Sequence, residues 1–197
     1  MERETRLKEI VRRAKAHPVY REKLKDVDPE RIALSDLPHL PPTGREEWLA
    51  YLKENPLPPP GASLMHLTPS PLLGWMPEYL SQEDLARMYR RLGIVGKKVL
   101  VAFSYHVFAG GWLFHQALWE AGNLVLPHGP GEAERIVELQ GKYRFDVLVT
   151  NPSFALRIAQ LGGRFDLLLA GGEPFTAVPG YRERLEALLG GVALDAY

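Results

Sequence analysis

Two rhythms of apolar residues run along the chain, and they change near position 61. In the first segment Leu7, Ile10, Val11 and Ala14 recur at helical spacing between Arg, Lys and Glu. That spacing predicts a helix over Glu2 to Lys25, broken or restarted at Pro18. A Pro-rich stretch follows, Leu37-Pro38-His39-Leu40-Pro41-Pro42. Thr43 or Gly44 then caps a short helix through Trp48 and Leu52, with Glu46 and Glu47 in its first turn, where carboxylates suit the helix dipole. Asn55 to Gly61 (NPLPPPG) cannot continue a helix and predicts a stiff, extended linker. The reading therefore divides the chain there. Residues 1–61 form a helical N-terminal segment with a Pro-rich linker, and residues 62–197 an α/β domain.

Beyond Met65 short apolar runs alternate with helical patterns. Ser81-Gln82-Glu83-Asp84 opens a helix through Arg91, and Gly93 stops it. Val99-Leu100-Val101-Ala102-Phe103 is the kind of run expected of a strand buried on both faces. Similar runs lie at Asn123–Leu126, Asp146–Thr150, Asp166–Ala170 and Val192–Leu194. Helical patterns fill the gaps at Trp112–Ala121, Glu132–Tyr143, Ser153–Leu161 and Pro179–Leu189. Such alternation implies βαβ crossovers. The expected fold class is α/β, a mostly parallel sheet with helices on both faces, preceded by a small helical N-terminal segment.

Composition narrows the function. Lys plus Arg and Asp plus Glu are equal at 24 each, so there is no electrostatic footprint for nucleic acid or an anionic membrane. The absence of cysteine excludes disulfides and thiolate catalysis. The charged start, Met1-Glu2-Arg3-Glu4-Thr5-Arg6, has no apolar stretch behind it, and no run approaches the roughly 18 apolar residues that span a bilayer. A cytoplasmic protein without membrane association is expected. The six histidines, at 17, 39, 66, 106, 115 and 128, show no metal-ligand spacing, so no metal site is assigned.

In parallel sheets ligands bind beyond the carboxyl ends of the strands, so the segments that follow each strand carry the candidates. After the first comes Ser104-Tyr105-His106-Val107-Phe108-Ala109-Gly110-Gly111-Trp112. Two glycines at a helix start let something approach the backbone closely, and the aromatic residues could wall an apolar pocket. The alternative is that the aromatics are core and the glycines only turn the chain. Thr150-Asn151-Pro152-Ser153, after the third strand, is either a capped turn alone or part of a site. After the fourth, Gly171-Gly172-Glu173-Pro174-Phe175-Thr176 permits unusual backbone angles, with Glu173 held extended by Pro174. It is a flat surface for a ring, or an ordinary turn.

Taken in order, five segments resemble the phenylacetate–CoA ligase branch of the adenylate-forming (AMP-binding) enzymes. They are the opening LKEIVRRAKAHPVYREKL with LSDLPHLPPTGREEW, Tyr105–Gly111, Asn151–Leu156, Gly171–Thr176, and Leu194-Asp195-Ala196-Tyr197. The resemblance implies that Tyr105, Phe108, Gly110 and Gly111 line an acyl or aryl pocket. It implies too that Gly172, Glu173 and Pro174 border an adenine, with Asp195 and Tyr197 beneath or beside it. AMP, ATP or CoA are the cofactors it suggests.

The departures from that family matter as much. Its phosphate-holding loop is rich in Ser, Thr and Gly and ends in Lys, whereas this chain has Thr68-Pro69-Ser70-Pro71-Leu72-Leu73-Gly74-Trp75. Two prolines remove amide donors, and no lysine is present. The family's metal-placing segment and lysine-bearing domain are not found in the 197 residues. No catalytic residue is therefore assigned. The expectation is a truncated relative, not catalytic alone, that keeps an aryl and adenine crevice for a small molecule or partner. The alternative is one subunit of a split ligase, completed by a second polypeptide. An uncovered last strand, Val192-Ala193-Leu194, also predicts a homodimer.

Overall fold

The computed structural model describes residues 2–55, 65–70, 74–78 and 83–196, with the backbone alone at residues 2, 68–70, 74–78 and 83–85. The chain divides into two compact units. The helical unit opens with α1 (Glu2–Ala16), whose Leu7 and Val11 pack with Ile32 in a small core. His17 ends that helix and caps the next, its Nδ1 accepting the Val19 N–H, so Pro18 restarts the chain as α2 (Pro18–Arg21). A 3-10 turn at Leu34–His39 takes up the Pro-rich stretch. Gly44 rather than Thr43 caps α3 (Arg45–Glu54), donating its N–H to Glu47 at 2.7 Å. Lys23 holds that carboxylate from the other side, and the two donors together keep its pKa below the usual range. The rings of His17, Tyr20, Trp48 and Tyr51 then meet at centroid distances of 4.9 to 5.9 Å.

Strands β1 (His66–Ser70) and β2 (Gly74–Glu78) form a two-stranded sheet. Each contains a proline, which fits a strand only where no partner needs its N–H.

The main sheet has five parallel strands in the order β4-β3-β5-β6-β7. In chain order the elements are α4 (Glu83–Arg91), β3 (Lys98–Val101), α5 (Ala109–Glu120), β4 (Leu124–Pro127), α6 (Ala133–Tyr143), β5 (Val147–Thr150), α7 (Pro152–Gln160), β6 (Leu167–Ala170), α8 (Tyr181–Leu189) and β7 (Val192–Asp195). Strand pleating sorts the apolar residues into two cores. Leu100, Leu148, Leu168 and Ala193 meet α6, α7 and α8 through Ile136, Ile158, Leu185 and Leu189. Val99, Val101, Val147, Val149 and Leu169 face the other way, onto Ala117 and Leu118 of α5 and Tyr89 of α4. Both faces are covered, which is why β5 is buried at every position and reads as an apolar run, Val147–Val149, ending on a buried Thr150. Each fully buried aliphatic side chain here contributes about 1.5–3 kcal/mol. The α/β expectation holds. At the edges, α5 begins at Ala109, three residues before the expected start, and β3 ends at Val101 rather than Phe103.

Strand order places the crevice. From β3 the chain steps outward to β4, then returns past β3 to β5, so the order reverses between β3 and β5. The loops leaving the carboxyl ends of those two strands diverge, and ligands of such sheets bind in the gap between them.

At the far edge Ala193 of β7 donates its outward N–H to Glu186 of α8 at 2.9 Å. No helix among the described residues is long and apolar enough to cross a membrane.

Candidate functional site

The loop after β3 is built on one obligatory glycine. A Cβ on Gly111 would lie 2.3 Å from the Ser104 carbonyl oxygen, which also accepts the Gly111 N–H at 3.2 Å. The close approach that this glycine allows is therefore used by the chain itself. Gly110 differs, because a Cβ there would meet only the Phe103 ring, at an ordinary 3.6 Å.

Between β3 and α5 the aromatic residues form two groups. Phe103 stacks on Phe114 with centroids 5.4 Å apart and rings 3° from parallel. Tyr105 packs edge-on against Trp112 and His115, at 5.3 and 5.8 Å. Its hydroxyl lies 3.3 Å from His115 Nδ1, and the Trp112 indole N–H donates to the Tyr105 carbonyl at 2.6 Å. Desolvation raises the Tyr105 pKa and lowers that of His115, so burial disfavours the charged form of each. Phe108, the residue before α5, is 39% exposed. Leu67 donates its N–H to the Val107 carbonyl, joining β1 to this loop. Beside it His66 is buried, and its Nε2 has no hydrogen-bond partner among the described residues.

The turn after β5 is a helix cap. Asn151 Oδ1 accepts the Phe154 N–H at 3.0 Å, and Pro152 occupies the first helical position. The next donor is not left for a ligand. Glu173, from the turn after β6, accepts the Ser153 N–H at 3.1 Å and the Ser153 hydroxyl at 2.8 Å.

In the turn after β6, Gly172 has φ +80°, a left-handed conformation that favours glycine. A Cβ on Gly171 would meet the Ala196 carbonyl oxygen at 3.0 Å, so the end of β7 runs close beside it. Phe175 is buried and anchors the turn, whereas Pro174 is exposed. Asp195 Oδ2 accepts the Thr176 hydroxyl at 2.7 Å and the Thr176 N–H at 3.3 Å.

The residues expected to border an adenine thus come together: Gly172, Glu173 and Pro174 in one turn, and Asp195 tied to it through Thr176. Tyr197 lies outside the described residues, as do the side chains of Thr68–Trp75. Phe103 joins this turn to the expected acyl pocket. Its ring is 3.6 Å from the Cβ position of Gly110 and 3.7 Å from that of Gly172. The apolar run Val99–Phe103 places Phe103 in the strand, whereas β3 ends at Val101 and Phe103 stands just past it, at the mouth of the loop. Among the described residues no group of three or more His, Asp or Glu side chains could hold a metal ion.

No family model matches the chain. Among curated proteins it is similar to phenylacetate-coenzyme A ligase of Escherichia coli, 32% identical over 124 residues, which are 57% of this chain and 28% of the relative. The Pseudomonas putida protein of the same name is 33% identical over 114 residues, 53% of this chain and 26% of the relative. Among solved structures, 2-hydroxyisobutyryl-CoA ligase in complex with 2-HIB-AMP and CoA superposes with a TM-score of 0.81 at 20% identity, over 96% of this chain and 46% of that one. A luciferase-like enzyme of Zophobas morio gives 0.50 at 15% identity, over 69% of this chain. The chain therefore shares its fold with part of the 2-hydroxyisobutyryl-CoA ligase structure. It resembles phenylacetate–CoA ligases over about half its length. It spans less than half the length of the solved ligase, and the matched segment is about a quarter of the curated relatives.

Proposed function

We propose that the chain carries the acyl and adenine crevice of an acid–CoA ligase-like protein, and that by itself it binds such ligands without forming an acyl-adenylate. The observation that carries this reading is the position of Phe103, in contact range of both Gly110 and Gly172 at the point where the strand order reverses. An aryl or acyl group would lie toward Tyr105, Phe108, Gly110 and Gly111. An adenine would lie along Gly172, Glu173 and Pro174 beside Asp195 and Tyr197. The Glu173 carboxylate is engaged by Ser153, so the backbone amides and carbonyls of that turn are what an adenine would meet. Similarity to phenylacetate-coenzyme A ligase supports an aromatic acid as the acyl partner.

The absence of chemistry is inferred from the Thr68–Trp75 sequence. Its prolines lack amide donors and it has no lysine, so the outer phosphates of ATP gain little there. Calorimetric titration tests the reading with AMP, ATP and phenylacetate, alongside an assay for pyrophosphate release. AMP and ATP should bind with equal affinity, and ATP with phenylacetate should release no pyrophosphate above background. A clear preference for ATP, or release lost on Gly172→Val, would overturn it.

A second reading, in which another polypeptide completes the ligase, follows from the same Thr68–Trp75 sequence, which supplies no lysine of its own. It predicts that the purified chain gains adenylation activity when a lysine-bearing ligase fragment is added.

A further inference from the structure

The outer strand of the sheet leaves a second cavity, away from the crevice. Helix α6 links β4 to β5 and so crosses over β3 between them. It covers the centre of the sheet and leaves the same face of β4 half bare. Leu124 and Leu126 stand two residues apart on β4, in register with Lys98 and Leu100 of β3. Opposite them Arg135, Leu139 and Tyr143 follow one another at four-residue steps, forming a single stripe on α6. Between strand and stripe lies an open groove of about 680 Å³, with the buried Phe145 also in its lining.

Volume and lining fit a small molecule, since ligand sites run to about 300–1,000 Å³ with an apolar lining and few polar groups. The sign of the charge is one-sided. Among the described residues, Lys98, His128 and Arg135 are the titratable lining groups besides Tyr143, and none of the lining residues is a carboxylate. Lys98 donates to the Tyr143 carbonyl at 2.7 Å, which fixes its ammonium at the rim. Arg135 has no ion-pair partner among the described residues. Self-association through this face fits less well, because a two-fold contact would set the cationic rim against itself.

The geometry points to a binding site for an amphipathic carboxylate, its hydrocarbon body against Leu124, Leu126 and Leu139 and its carboxylate on the Arg135 guanidinium. The groove lies along the outer edge of the sheet, between β4 and α6. Its Lys98–Tyr143 end is at the amino ends of the strands and its His128–Arg135 end at their carboxyl ends. Strand β3 stands between it and the β3–β5 gap where the crevice is placed.

Octanoate and 1-octanol are the probes, with binding to the full chain followed by titration calorimetry and circular dichroism confirming the fold of each variant. Octanoate should bind about tenfold tighter than 1-octanol. Arg135→Gln, an exposed substitution, should abolish that difference, and Leu139→Glu should remove octanoate binding. Equal affinity for the two probes, or no effect of Arg135→Gln, would overturn the assignment. So would octanoate binding lost on Phe108→Ala but kept in the groove variants, because the acid would then sit in the crevice. A dimer dissociated by Leu124→Glu would also overturn it, showing that a second copy fills the groove.

Discussion

Glu173 and Ser153 are twenty residues apart, yet both donors of Ser153 end on the Glu173 carboxylate, at 2.8 and 3.1 Å. The contact fastens the turn after β6 to the first turn of α7. It also sets a negative charge where the helix N-terminus is most positive. With Asn151 taking the Phe154 N–H, two of the N–H groups that a helix start leaves unpaired are satisfied by side chains.

Glu173→Ala should lower stability by about 1 kcal/mol, since Glu173 is only half-buried and a hydrogen bond contributes roughly 0.5–1.5 kcal/mol net. Ser153→Ala should cost less alone, and the double variant should be less destabilised than the sum. Urea unfolding of the four proteins measures the coupling. Strict additivity would mean that the pair does not hold the two turns together.

The neighbouring glycines of α5 should respond in opposite ways. Gly111→Ala pushes a Cβ into the Ser104 carbonyl at 2.3 Å, and rigid backbone cannot yield cheaply. A loss of about 2 kcal/mol or more is expected. Gly110→Ala meets only the Phe103 ring at 3.6 Å and gains helix propensity, so it should be neutral or stabilising by up to about 1 kcal/mol. Thermal unfolding separates the two. If the crevice lies as proposed, Gly110→Ala should also weaken aryl-acid binding while the fold is unchanged.

How legible all this was depends on whether the signal was local. The runs Val99–Val101, Val147–Val149 and Leu167–Ala170 are apolar at every position because helices bury both faces, and so they announced a parallel sheet directly. Strands β1 and β2 did not announce themselves, since His66–Ser70 and Gly74–Glu78 each carry a proline and neither alternates. At the site, the turns themselves were readable from Gly, Asn and Pro. The side-chain contacts were not. The Glu173–Ser153, Asp195–Thr176 and Tyr105–His115 pairs join residues ten to twenty positions apart, and only the finished sheet brings them together. Gly111 shows the same limit, because its sequence fitted ligand approach and chain turning equally well.

Desolvation at the Tyr105–His115 pair makes stability depend on pH at both ends. The His115 pKa is lowered in the folded chain, so the unfolded chain binds more protons as pH falls below about 6.5. Stability is then full above that value and declines as pH drops toward the folded pKa. Tyr105 is shifted upward, as is buried Tyr89, so their contribution is present below about pH 10 and is lost as pH rises beyond it. His115→Phe keeps a ring against Tyr105 and Trp112 but removes the titration. Denaturant midpoints between pH 5 and 8 should fall toward acid in the parent protein and flatten in the variant. A parallel acid decline in both would assign the effect elsewhere.

The last prediction concerns β7 and self-association. It is an edge strand, and Val192 is 52% exposed with no lysine or proline in the strand to discourage pairing. That pattern favours a two-fold dimer through paired β7 edges. One feature opposes it, because the Ala193 N–H that would greet a second strand already donates to Glu186. Arg182 holds the same carboxylate at 3.1 Å, and the Ala193 N–H followed by Arg182 keeps its pKa below the usual range. Pairing must displace Glu186 twice, once in each copy, so association of the parent chain should be weak and concentration-dependent. Glu186→Ala frees both donors and should tighten the dimer roughly tenfold, at about 0.5–1.5 kcal/mol for each bond released. Acid should act in the same direction, because the lowered pKa keeps Glu186 ionised, and edge-blocking, until pH falls below the ordinary carboxylate range. Sedimentation equilibrium of the parent, Glu186→Ala and Val192→Lys proteins decides the matter. Tightening in the first variant and a monomer in the second are expected, and a monomer in all three would remove β7 as a pairing edge.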